Sequence, residues 1–223
     1  MKNIFFDLYG TLIDIQTDEN HLFFWEKLTK KWKKYHNYTP TEFKNQYLSI
    51  CLRLEKTKEE IDLLDAFAEL LNVDKDLAEK FARDFRQYST KYLRLYPEVK
   101  DLLKKLKKKG YGLYVLSNAQ TSFAIPELKK LKIFHYFNDI AISSEYGVKK
   151  PNPEFFLQAI KKFNLSISTL IMIGNDYECD ILSARKLGIK SIFIQSNLTP
   201  QHDSKDYELG FNSERLLKKI EEL

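Results

Sequence analysis

The stretch Met1-Lys2-Asn3-Ile4-Phe5-Phe6-Asp7-Leu8-Tyr9-Gly10-Thr11-Leu12-Ile13-Asp14 decides the fold. Ile4, Phe5 and Phe6 form an apolar run of the kind that makes a buried strand, and the run stops on Asp7. Gly10 and Thr11 then predict a tight turn, because glycine accepts positive φ without the crowding of a Cβ. A carboxylate at the carboxyl end of a central strand faces the crevice where open α/β sheets bind ligands. Taken by itself, Asp7 reads first as a strand-ending turn residue. A chemical role requires partners from elsewhere in the chain.

Working outward, residues from Gln16 to about Tyr88 carry helical periodicity throughout. Trp25, Leu28, Trp32 and Tyr35 make one apolar stripe, and Phe43, Tyr47, Ile50 and Leu54 a second. Ile61, Leu64, Phe67 and Leu71 form the third, and Leu77, Phe81, Phe85 and Tyr88 the fourth. Pro40, next to Thr39 and Thr41, separates the first two helices. Four amphipathic helices in succession predict a compact bundle, over about 16–89, inserted after the first strand.

Beyond Tyr96-Pro97 the pattern alternates. Val99, Leu102, Leu103 and Leu106 predict a helix that stops at Gly110, and Tyr111 to Leu116 a strand closing on Ser117-Asn118. A helix is expected from Pro126 to Leu131, a strand over Asp139 to Ser143, and a helix opened by Asn152-Pro153. Leu170 to Ile173 reads as a strand ending in Gly174-Asn175-Asp176, and Asp180 to Leu187 as a helix stopping at Gly188. Lys190 to Ile194 is the last expected core strand, and Ser213 to Leu223 the closing helix. Repeated βα units predict the fold class: α/β, a Rossmann-like doubly wound parallel sheet. The expected division is 1–15 with 90–223 as the α/β core and 16–89 as the helical insertion.

Composition narrows the classes of function. The chain has 223 residues, 43% hydrophobic and 30% charged, which suits an ordinary globular protein with one large core or a core with an insertion. A net charge of +5 is too modest to argue for nucleic acid. Lys30, Lys31, Lys33 and Lys34 interleave with aromatic residues, but those aromatics fall on the bundle's apolar stripe and leave the lysines as its solvated face. Two cysteines, Cys51 and Cys179, suggest no disulfide framework. No signal peptide or membrane-spanning stretch is read, so the expectation is a cytoplasmic protein without membrane or nucleic-acid partners. The four histidines show no metal-ligand spacing, and no role is assigned to them.

Polar residues follow the predicted strands at Asp7, at Ser117-Asn118, and at Asn175-Asp176 with Asp180, and Lys150 precedes a helix. In a parallel sheet such loops converge on one crevice. In order, Asp7-Leu-Tyr-Gly-Thr11, Leu116-Ser-Asn118, Lys150-Pro151 and Gly174-Asn-Asp-Tyr-Glu-Cys-Asp180 resemble the four motifs of the haloacid dehalogenase superfamily. The resemblance covers essentially the whole chain, and the helical insertion is similar to that family's C1 cap. It implies a hydrolase in which Asp7 is the nucleophile, forming a covalent aspartyl intermediate. Ser117 and Lys150 would be catalytic, Lys150 also neutralising growing charge. Thr11, Ser117, Asn118 and Lys150 would contact substrate. Mg²⁺ would be held by Asp7, the Tyr9 backbone carbonyl and Asp176, with Asp180 and Asn175 as further candidates. Asp180 is open between ligand, support behind the ligands, and helix cap.

Two features depart from the phosphatase pattern. Tyr9 stands where a second aspartate usually protonates the leaving group, and a phenol is a poor acid near neutrality. Asn175 stands where an aspartate often follows the glycine. The Asp-x-Tyr-Gly-Thr form resembles the metal-independent 2-haloacid dehalogenase branch, whereas the acidic fourth motif resembles the phosphatases. Carboxylates crowded beside the nucleophile would repel an anion unless a cation lies among them, which favours Mg²⁺ and phosphoryl transfer on a small phosphorylated metabolite. The alternatives are a 2-haloacid dehalogenase and a non-catalytic phosphate-binding relative.

Overall fold

The computed structural model describes residues 2–223; Met1 lies outside them. The chain runs β1 (Asn3–Phe6), β2 (Ile13–Thr17), α1 (Leu22–Trp32), α2 (Pro40–Glu55), α3 (Leu63–Leu71), α4 (Lys75–Ser89) and β3 (Thr90–Leu95). It continues with α5 (Val99–Lys108), β4 (Gly112–Ser117), α6 (Thr121–Lys130), β5 (Asp139–Ile142), α7 (Ser143–Tyr146) and α8 (Pro153–Lys162). The last elements are β6 (Leu170–Gly174), α9 (Ser183–Lys186), β7 (Lys190–Gln195), β8 (Glu208–Leu209) and α10 (Ser213–Glu222).

Six strands form one sheet in the order β5-β4-β1-β6-β7-β8, and every pair in it is parallel. β1 is central: Phe6 lies opposite Val115 of β4 on one side and Ile173 of β6 on the other. The chain leaves β1 toward β4 and later returns to lay β6 on the other flank, so β1 sits where the strand order reverses. Its side chains alternate between two buried layers. Ile4 and Phe6 pack with Val99, Leu103, Val115 and Ile173, whereas Phe5 packs with Leu116, Phe155, Phe156 and Met172 on the opposite face. That double burial is why β1 reads as an unbroken apolar run rather than an alternating one.

The four helices α1 to α4 enclose a separate aromatic core. Trp25, Phe43, Tyr47, Phe67, Phe81 and Phe85 are all buried there, the rings meeting mostly edge-on or tilted. Thr39 caps α2 with a capping box to Glu42, and Pro40 is its first residue. This cluster reaches the α/β part through Phe123 of α6, whose ring stacks on Phe85 at 6.3 Å. The separation of the cores supports the division that we propose for the chain, 1–15 with 90–223 and 16–89.

Several local expectations are corrected. Gln16 and Thr17 are not helical: they end β2, which pairs antiparallel with β3 as a two-stranded ribbon joining the two parts. Its signal is a short alternation, and its partner strand lies at the far end of the insertion. Helix α6 begins at Thr121, not at Pro126, which sits inside it. The buried face of Phe123, Ala124, Glu127 and Leu128 outweighs the missing proline amide. The helix at the fourth motif starts with a π-helical turn over Tyr177–Leu182, and Asp176 caps it, accepting from the Cys179 amide at 2.9 Å. β8, only two residues long, was not expected. Among the described residues no helix is long and apolar enough to cross a membrane, and Cys51 and Cys179 are free.

Two substitutions test this architecture. Phe85 is 1% exposed and meets Phe24, Trp25, Tyr47, Phe67 and Phe123, so Phe85→Ala should cost about 3–5 kcal/mol in denaturant unfolding. Gly10 has φ +89°, and a Cβ there would lie 2.1 Å from Asn175 Nδ2. Gly10→Ala should therefore lower the unfolding temperature and also disturb the loop after β6, visible as shifted amide resonances at Asn175.

Candidate active site

The site is assembled by three adjacent strands ending together. Asp7 follows β1 and donates its amide to the Ile173 carbonyl at 3.0 Å; Ser117 ends β4; Asn175 and Asp176 follow β6. The turn after Asp7 is closed by the Leu8 carbonyl, which accepts from Thr11, Leu12 and Ile13, and by the Gly10 amide donating to the Ile13 carbonyl. The Tyr9 carbonyl takes no part in these bonds. Asp7, Tyr9, Ser117, Lys150 and Asp176 share a cavity of about 160 Å³, whose further walls include Leu198 and Pro200.

Lys150 is the anchor. Its ammonium, 1% exposed, donates to Asp7 Oδ1 at 2.9 Å, Asp180 Oδ1 at 2.6 Å and the Leu116 carbonyl at 2.8 Å, so all three protons are engaged. Burial disfavours the charge, but Asp180 and Asp7 more than offset it and hold the lysine protonated. Asn118 fixes the backbone beneath it: its Nδ2 donates to the Lys150 carbonyl and its Oδ1 accepts the Lys150 amide, both at 2.8 Å. The Asn118 side chain is thus engaged with the chain itself.

Ser117 Oγ also donates to Asp7 Oδ1, at 3.0 Å. One carboxylate oxygen of Asp7 therefore carries two donors, and the other, Oδ2, has no hydrogen-bond partner among the described residues. Asp180 sits at the back of the cavity, 1% exposed, with Oδ1 on Lys150 and Oδ2 accepting the Asp176 amide at 2.9 Å. Burial raises its carboxyl above the usual range, with Lys150 pulling it down. Gly174 is required beside it, since a Cβ would lie 2.2 Å from Asp180 Oδ2. Both oxygens of Asp180 are engaged, and it is not the cap of the following helix.

Two further expectations are relocated. Thr11 is fully buried and does not line the cavity; its hydroxyl donates to Asn175 Oδ1 at 3.1 Å. Asn175 in turn donates to the Leu198 carbonyl at 3.2 Å, so both ends of its amide are engaged. These two residues tie the β1 turn to the loop after β7. Beside Asp7 the cavity is lined by Asp176, which accepts from the Cys179 amide at 2.9 Å, and by Tyr9, whose carbonyl takes no part in closing the turn. Among the described residues no three acidic, histidine or cysteine side chains gather as a metal cage. Mg²⁺, which takes one or two carboxylates and completes its shell with water and phosphate oxygens, fits such a donor set. Cys179 also borders the cavity, but burial and the neighbouring Asp176 push its thiol up to about 12, so it is no thiolate nucleophile.

The surroundings of Tyr9 lie outside the four motifs. Its hydroxyl donates to Glu127 Oε2 at 2.5 Å, and Glu127 also accepts from Arg86 Nε at 2.6 Å. Burial and the adjacent Glu127 raise the phenol well above its ordinary value. Arg86 comes from α4 of the helical insertion and lies over the Phe123 ring at 4.9 Å. The available signal was a charge at an inward position: Glu127 lies between Ala124 and Leu128 on the apolar face of α6.

The chain is 36% identical over 107 residues to a glyceraldehyde 3-phosphate phosphatase of Methanothermobacter thermautotrophicus, covering 48% of this chain and 47% of that protein. It spans about half the length of the curated relatives it matches, 47% and 49% of two of them. Over 99% of its length it shares the fold of a HAD phosphatase from Thermococcus onnurineus, covering 97% of that chain (22% identity, TM-score 0.66). A 2-haloacid dehalogenase from Pseudomonas syringae matches over 100% of this chain and 98% of its own (21% identity, TM-score 0.66), which again speaks to fold alone. A family model described as haloacid dehalogenase-like hydrolase matches residues 1–188, and the chain belongs to that family.

Proposed function

We propose that this chain is a phosphomonoester hydrolase that acts on a small phosphorylated metabolite, with Asp7 as nucleophile. The observation that carries the reading is the asymmetry of Asp7: Oδ1 is held by Lys150 and Ser117, while Oδ2 has no hydrogen-bond partner among the described residues and the residue lines the cavity. In the first step Asp7 Oδ2 bonds to phosphorus, the bond from phosphorus to the ester oxygen breaks, and that oxygen leaves with the electron pair. In the second, water attacks the aspartyl-phosphate, releasing phosphate and the free carboxylate. Lys150 keeps Asp7 oriented and offsets negative charge, and Ser117 restrains the carboxylate's rotation. Asp7, Asp176 and the Tyr9 carbonyl would hold Mg²⁺, which would supply charge neutralisation to the phosphoryl oxygens. The name of the Methanothermobacter relative and the acidic fourth motif support the same reading.

Tyr9 is a poor proton source for the departing oxygen, because its proton is directed at Glu127 and its acidity is lowered further by burial. General acid catalysis is worth roughly 10²–10⁴ in rate, so the enzyme should favour esters whose leaving group departs without a proton. Aryl phosphates should therefore turn over faster than simple alkyl phosphates; steady-state kinetics showing sugar phosphates ahead of aryl phosphates would contradict this.

A second reading, 2-haloacid dehalogenase, is favoured by Tyr9 together with Arg86, a cation from the helical insertion beside the site. Phosphate release from para-nitrophenyl phosphate, with Mg²⁺ and then with chelator, separates the two. The phosphatase reading expects release that chelator suppresses and Asp7→Asn abolishes. Halide release from a chloropropionate, unaffected by chelator and without any phosphate release, would replace it with the second.

A further inference from the structure

Next to the catalytic cavity lies a second chamber of about 350 Å³, and the two share Tyr9 and Leu198 as walls. It is the space adjoining Asp7's cavity that is available to the leaving group of a substrate whose phosphate lies over Asp7. The chamber's apolar surface comes from Ile15, Leu198 and the rings of Tyr9 and Phe123. Its polar groups are nearly all engaged. Gln120 donates to the Ile61 carbonyl at 2.9 Å and accepts from the Leu63 amide at 2.8 Å.

Among the described residues Arg86 is the one cation lining this chamber, and it is already neutralised. Its Nε and Nη2 edge faces the Glu127 carboxylate, 7% exposed, at 2.6 and 3.5 Å. The face of its guanidinium covers Phe123 and, at 5.5 Å, Tyr9. A second acid, Glu19, lies within its electrostatic reach and is partly buried. An incoming carboxylate would therefore share a single guanidinium with Glu127 and meet like charge at low dielectric. An uncharged ring or alkyl group meets the apolar lining of Ile15, Leu198, Tyr9 and Phe123 and no such opposition.

Resting on the phosphatase reading above, we propose that Glu127 sets the substrate class: by neutralising Arg86, it selects phosphate esters with an uncharged, apolar or aromatic leaving group over esters bearing a carboxylate there. Glu127 does not touch Asp7 or Lys150; it acts through the charge it cancels.

The test compares para-carbamoylphenyl phosphate with para-carboxyphenyl phosphate, near-isosteric esters that differ in one charge. The wild-type kcat/KM should favour the carbamoyl ester by at least about tenfold, and Glu127→Gln should shrink that preference by at least about tenfold or invert it. The double variant Glu127→Gln with Arg86→Gln should restore discrimination against the acid. A wild-type ratio near unity overturns the proposal even if the variants do not fold. So does a Glu127→Gln enzyme that keeps the wild-type ratio. In either case hydrolysis of the carbamoyl ester leaves the phosphatase reading standing, whereas hydrolysis of neither ester by the wild type removes the reading on which the proposal rests.

Discussion

The arrangement of this molecule depends on one buried ammonium. Lys150 donates to Asp7, Asp180 and the Leu116 carbonyl, which belong to the loop after β1, the loop after β6 and strand β4. A lysine that deep is tolerated only because each proton has an acceptor and two of these are carboxylates. The same three bonds join the carboxyl ends of the three central strands, so a single side chain both offsets the acidic cluster and fixes its geometry. Losing either carboxylate would leave a buried charge short of a partner. Asp180, with both oxygens engaged, belongs to this support; Asp7 keeps one oxygen free for chemistry.

The helical insertion is tied to this centre at two adjacent residues of α4. Phe85 stacks on Phe123, and Arg86 bonds Glu127, both partners lying on α6 of the core. The ring supplies apolar contact and the ion pair supplies direction, and together they carry the wall of the chamber beside the Asp7 cavity up to Tyr9. The insertion therefore reaches the catalytic turn through the residue that departs from the usual phosphatase motif. At the position of the usual motif's second aspartate, this chain places a phenol bonded to a neighbouring glutamate.

Much of this was legible in the sequence, for identifiable reasons. β1, β4, β6 and β7 are short apolar runs closed by polar or glycine residues, and the helices between them carry strong amphipathic periodicity, so the α/β alternation is written locally. The convergence of Asp7, Ser117, Lys150 and Asp176 then follows from parallel topology. What escaped reading was set by tertiary pairing. β2 and β3 are recognisable only once they meet, and β8 is two residues long. Asp176 as the helix cap, in place of Asp180, depends on a π-helical turn that spacing does not reveal. Thr11 and Asn175 are polar residues in motif positions that bond each other. Arg86 and Glu127 lie in separate helices with no motif between them.

The claim at the centre of this account is that Asp7 is the atom donor that attacks phosphorus. The most direct measurement is acid quenching of the enzyme during turnover of an aryl phosphate, followed by peptide mass spectrometry. The account predicts a phosphoryl adduct on the peptide that contains Asp7, present during turnover and lost once substrate is exhausted. Turnover with the adduct on another residue, or with none at any quench time, would contradict it.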